Sequence, residues 1–202
     1  MEDYASDVLV LGIGNLLWAD EGFGVRCAEV LDRQYELPAT VRVMDGGTQG
    51  LYLLPYVQQA TKLIVFDAVD YGLDPGTVKL VEDDEVPRFM GAKKMSLHQT
   101  GFQEVIAAAM LTAQCPERML LIGVQPEELD DYGGSLRDVV KARVPECVEA
   151  AVKRLAEWGY PARWRAATAD FSNDALAIDA YEAGRPSHEV ACRMGDDRFL
   201  AA

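Results

Sequence analysis

The chain has 202 residues, half of them hydrophobic, with a formal charge of −14 and a pI near 4.5, which is enough for one well-buried domain with some length to spare. That acidity argues against phosphate-backbone binding, which needs a basic face, so no nucleic acid partner is expected. No apolar run is long enough to cross a bilayer and the start, Met1-Glu-Asp-Tyr4, lacks the basic region of a secretion signal, so the expectation is a cytoplasmic protein with no membrane insertion.

Val8 to Leu11 is a continuous apolar run, the pattern of a strand covered on both faces in a parallel sheet. Gly12 and Gly14 let the chain turn, and Asp20 and Glu21 open a helix running through Val25, Ala28, Leu31 and Tyr35. Val41 to Asp45 predicts a short second strand followed by a glycine loop, Gly46 to Gly50. Leu51 to Ala60 reads as a helix that Pro55 starts or shortens. Lys62 to Ala68 is the clearest strand, apolar until Asp67.

Asp74-Pro-Gly76 signals a turn, Thr77 to Val81 alternates as an edge strand does, and Glu82 to Lys94 reads as an acidic loop. Ser96 and Gln99 have capping-box spacing, which puts His98 in the first turn of a helix ending before Pro116. Arg118 to Pro126 predicts another buried strand, and helical sequence follows from Leu136 to Trp158, with Pro145 opening its second segment. From Pro161 the pattern changes: Arg163-Trp-Arg165 is a small basic patch, and Asp170 to Arg193 has helical spacing without an obvious strand or motif. Strands alternating with helices at this rhythm predict an α/β fold: a three-layer, mostly parallel twisted sheet of about five strands with helices on both faces. Residues 1–160 are expected to form that domain and 161–202 a C-terminal extension, helical or partly mobile. Cys27, Cys115, Cys147 and Cys192 are scattered and read as free thiols.

Glu21, Asp67 and His98 come from separate segments, yet this topology carries each to the carboxyl edge of the sheet, where α/β sites form. Two carboxylates and an imidazole suit a divalent metal such as nickel, zinc or manganese. The bland alternatives are a helix-dipole partner at Glu21, a turn cap at Asp67 and a helix-start donor at His98. A nucleotide-binding reading of Gly12-x-Gly14 with Asp45 ending the second strand is weakened because Leu17 stands where the third glycine belongs. The acids at 20 and 21 would also face the pyrophosphate. No Gly-x-Ser-x-Gly or His-Glu-x-x-His is present.

Four blocks, Gly12 to Arg26, Asp45-Gly-Gly-Thr-Gln-Gly50, Asp67-Ala68 and Ser96-Leu-His-Gln99, together resemble the maturation endopeptidases of nickel-iron hydrogenases. The resemblance spans residues 7 to 158, and the tail resembles the extension of members serving membrane-bound uptake hydrogenases. It implies removal of a C-terminal peptide from the precursor of a hydrogenase large subunit once nickel is in place. A monomer is expected. By the same resemblance Glu21, Asp67 and His98 bind nickel carried in by the precursor rather than held by the free protein. Asp45 takes a catalytic or substrate-positioning role, its alternative being a turn-capping aspartate. A metal-dependent or nucleotide-using enzyme acting on a small molecule is the competing function.

Overall fold

The computed structural model describes residues 5–91, 97–166 and 178–184, with the backbone alone at 89–91, 97–101 and 179. Its centre is a five-stranded sheet in the order β3-β1-β4-β6-β5. The strands are β1 Ser6–Ile13, β3 Val41–Gly47, β4 Ala60–Ala68, β5 Val78–Glu82 and β6 Arg118–Val124. β3, β1, β4 and β6 run parallel, and β5 closes the far edge antiparallel to β6. The apolar runs at Val8–Leu11 and Leu63–Phe66 are buried almost completely because helices cover both sides of the strands that carry them.

On one face α1, Phe23–Gln34, and α6, Val144–Glu157, pack Phe23, Cys27, Leu31, Val148 and Leu155 against Val8, Val10, Ile64 and Phe66. On the other, α2, Leu54–Gln59, and α4, Leu97–Leu111, pack Val57, Phe102, Val105 and Ala109 against Leu9, Leu11, Leu63 and Val65. The three-layer fold expected from the sequence is therefore the observed one. Pro145 sits in the first turn of α6, after the one-turn helix α5, Asp138–Lys141, where a missing N–H costs nothing. Among the described residues no helix is long and apolar enough to cross a membrane. Cys27 and Cys147 are buried free thiols and Cys115 is a half-buried one, while Cys192 lies outside the described residues.

Three local expectations are corrected. The acidic loop after β5 contains α3, Glu85–Gly91, seeded by Val86, which is fully buried, with Pro87 in its first turn where proline is tolerated. β3 runs two residues past Asp45 into the glycine loop, slipping register between Gly12 and Ile13. A two-residue strand, β7 Arg163–Trp164, follows Pro161 and pairs antiparallel with β2, Tyr35–Glu36, where the Tyr35 and Trp164 rings meet edge to face at 5.1 Å. Residues 178–184 form α7, Ile178–Gly184, and Ser96 and the remainder of the tail lie outside the described residues.

Candidate active site at the carboxyl edge of the sheet

The strand ends line up. Gly12 of β1 is in register with Asp45 of β3 on one side and Phe66 of β4 on the other, and Asp67 is in register with Gly123 of β6. The first loop rises from Gly14, whose φ of 130° only glycine adopts readily, and a Cβ there would run into the Glu21 carbonyl. The chain then makes a short 3-10 turn, Ala19–Gly22, and enters α1. At Gly24 the helix backbone lies directly on the Phe66 and Ile13 carbonyl oxygens. That close seating sets the turn carrying Glu21 against the end of β4, where Asp67 emerges. Asp67 is 2% exposed, and one carboxylate oxygen each of Glu21 and Asp67 is shut off from solvent.

Asp20, fully buried beside Glu21, has a structural task the sequence did not show. Its Oδ2 accepts the backbone N–H of Glu127 and of Glu128, both at 2.9 Å, and its Oδ1 accepts that of Arg137 at 2.7 Å. In return the Asp20 N–H donates to the Glu128 carbonyl at 3.1 Å, and the Gly133 N–H donates to the Leu17 carbonyl at 2.7 Å. The Trp18 and Tyr132 rings pack at 5.2 Å. The loop after β6 is thereby laced to the Trp18–Glu21 turn.

α4 ends beside the start of β4, where the Gln58 side-chain amide donates to the Thr112 hydroxyl and the Glu117 N–H to the Thr61 carbonyl, both at 2.8 Å. Fifteen residues of helix span roughly 22 Å, so its first turn, with the His98 backbone, lies at the carboxyl edge. By strand alternation Asp67 falls with Leu63 and Val65 on the face that α4 covers. Glu21 and Asp67 are thus brought to one edge. The His98 side chain lies outside the described residues, and among the described residues no three potential ligands gather closely enough to hold a metal.

Asp45 falls on the opposite face, the α1 side, two strands across from Phe66, or roughly 10 Å at the usual strand spacing. It borders a cleft of about 310 Å³ with Gly14, Asn15, Leu17, Gly47 and Thr48. The Gly14 N–H donates to the Gly47 carbonyl at 3.0 Å, fixing the two glycine loops together. Much of Asp45 is open to solvent, but its Oδ1 folds back over Gly47. Burial of the carboxyl raises its pKa above the usual 3.8, against the opposing pull of the Gly47 N–H and the Arg26 charge. Arg26 is itself 3% exposed and pairs with Glu29 at 2.8 Å. The folded state therefore holds the Asp45 proton more tightly than the unfolded chain does. The stability this gives is complete below pH 3.8 and is lost as pH rises through the folded value. Asp45→Asn is accordingly expected to melt slightly above the parent protein at pH 7, with the gap closing as pH falls towards 3.8. A gap that widens on acidification would contradict this.

Tyr71 also escaped the sequence reading. Its hydroxyl lies over Gly123, where a Cβ would displace it, and so beside Asp67. Burial, then the Asp67 charge, pushes the phenol pKa up, so it stays protonated at neutral pH. Its backbone N–H donates to the buried Gln125 side chain at 2.7 Å. The only sequence signal was its position four residues past Asp67.

The hydrogenase maturation protease family model matches residues 25–154. The hydrogenase expression/formation protein HoxM of Azotobacter vinelandii is 61% identical over 197 residues, 97% of this chain and 95% of its own. The hydrogenase 2 maturation protease of Escherichia coli is 38% identical over 164 residues, 81% of this chain and 99% of its own. Among solved structures, the hydrogenase maturating endopeptidase HybD of E. coli superposes with a TM-score of 0.74 at 38% identity, covering 78% of this chain and 97% of its own.

Proposed function

The chain belongs to the hydrogenase maturation protease family, and from that premise we propose that it removes the C-terminal peptide of a nickel-iron hydrogenase large-subunit precursor after nickel insertion. In this reading the nickel is part of the substrate. Glu21, Asp67 and His98 grip the precursor-borne ion, so an unfilled precursor offers nothing to hold. What supports this most is the convergence of Glu21 and Asp67, from segments 46 positions apart in sequence, on one shielded edge beside the first turn of α4. Two carboxylates and an imidazole are borderline-hard donors that suit nickel.

Binding the ion there converts an encounter into an oriented reaction by fixing the neighbouring peptide against the protein. The cleft between the glycine loops has room for an extended chain because Gly14 and Gly47 present no side chains. Asp45, on the rim of that cleft, then holds or activates the group that attacks the peptide carbonyl, or orients the peptide itself. Residues 1–160 carry this chemistry and 161–202 form an appended segment. We place the reaction in the cytoplasm, by a monomer, a setting in keeping with the free thiols.

The experiment is to incubate the purified protein with nickel-loaded precursor and determine both product masses. One cut near the C-terminus, giving a processed subunit and an intact released peptide, is the expected result. No cut, or trimming residue by residue, would overturn the endopeptidase reading.

A further inference from the structure

We propose that α7 is a clasp belonging to the site: through Tyr181 and Glu182 it holds Arg26 and the loop from Asp131 to Lys141, and so positions Asp45 and the Trp18–Glu21 turn for precursor processing. This rests on the function proposed above.

Two lines of contact carry it. In the first, Glu182 takes the Lys141 ammonium with both carboxylate oxygens, at 2.7 and 2.8 Å, and accepts the Ser135 hydroxyl at 2.8 Å. Ser135 and Lys141 bracket Arg137, whose backbone N–H donates to Asp20, and Asp20 adjoins Glu21. The chain of bonded groups thus runs unbroken from α7 to the residue before Glu21. In the second, the Tyr181 ring lies 5.8 Å from the guanidinium carbon of Arg26, within cation–π range. That guanidinium pairs with Glu29 at 2.8 Å, and Glu29 and Asp45 line one shallow hollow between α1 and β3. Ile178 anchors the helix against the α1/α6 core. One short helix therefore reaches both sides of the site.

The E. coli protease uses 99% of its length on 81% of this chain, whereas HoxM of A. vinelandii matches 97% of it. The family model ends at residue 154 and α7 begins at Ile178, so the clasp lies beyond the part of the chain that the family model describes. The clasp is then an addition to that common part, acting on the edge that the common part builds.

Because the Lys141 and Glu182 side chains are 40% and 32% exposed, their pairing adds little to global stability. Positioning and folding can therefore be separated. Glu182→Lys, Lys141→Glu and the double exchange are made in the full chain, and kcat and KM for nickel-loaded precursor are measured beside the melting temperature. Glu182→Lys is expected to lower kcat about tenfold, with KM nearly unchanged and Tm within about 2 °C of the parent. The double exchange, which restores the opposite charges, is expected to recover most of the rate. Parent-like turnover by Glu182→Lys, a double exchange as slow as the single variant, or a loss that only follows a collapse in Tm would each overturn the clasp while the parent still cleaves. No cleavage by the parent would overturn the function itself, and the clasp with it.

Discussion

Precursor carrying nickel should remain uncleaved when it meets the Glu21→Gln, His98→Ala double variant. Glutamine keeps the size of Glu21 and one of its acceptor oxygens but removes the negative charge that a divalent ion needs, and alanine removes a neutral nitrogen donor outright. If the grip on nickel is what orients the scissile peptide, losing two of three donors forfeits that orientation, at a cost of at least about 100-fold in rate. The fold should tolerate the change. Glu21 is only half-buried, in a turn whose geometry rests on Gly14 and on the bonds to Asp20. A melting temperature near the parent's together with processing below detection is the expected pair of results. Cleavage at the parent rate would remove both residues from the site.

Gly24→Ala is the substitution expected to damage the fold most. The added Cβ would overlap the carbonyl oxygens of Phe66 and Ile13 and the Ile13 nitrogen, all of them backbone atoms in the two central strands. Side chains can swing away from such an overlap, but a paired sheet cannot. α1 must therefore lift off β1 and β4, loosening Phe23, Cys27 and Leu31 from the core. The cost is about 3 kcal/mol or more, read as a fall in Tm of roughly 10 °C for a chain of this size. Because the same seating holds the Glu21 turn beside Asp67, activity should fall at temperatures where the protein is still folded. An unchanged melting curve would show that α1 does not lie so close to the sheet.

Where the chain repeats a strong local signal, the fold could be read in advance. Val8–Leu11 and Leu63–Phe66 are apolar without interruption because both their faces are covered, and the acids that end such runs mark the carboxyl edge. The positions of Glu21, Asp67 and the first turn of α4 at that edge followed from connectivity alone. Other features depend on partners far away in sequence. The three amides that Asp20 holds lie 107 to 117 residues downstream, and nothing local distinguishes it from its neighbour Glu21 as the buried one. The β2–β7 pairing rests on two residues a side, too few for alternation to register. α3 hides in an acidic stretch because, among its described side chains, a single buried valine secures it. The separation of Asp45 from Asp67 onto opposite faces is a matter of register, which a one-residue shift reverses.

The proposed function rests on this edge reading nickel carried by the precursor. Its most direct test is the initial rate of peptide release from nickel-loaded and nickel-free precursor, presented to the unaltered protein at equal concentrations and followed by intact mass. Release from the loaded form is expected, with at least about 100-fold less from the empty one. Equal rates from the two would contradict it.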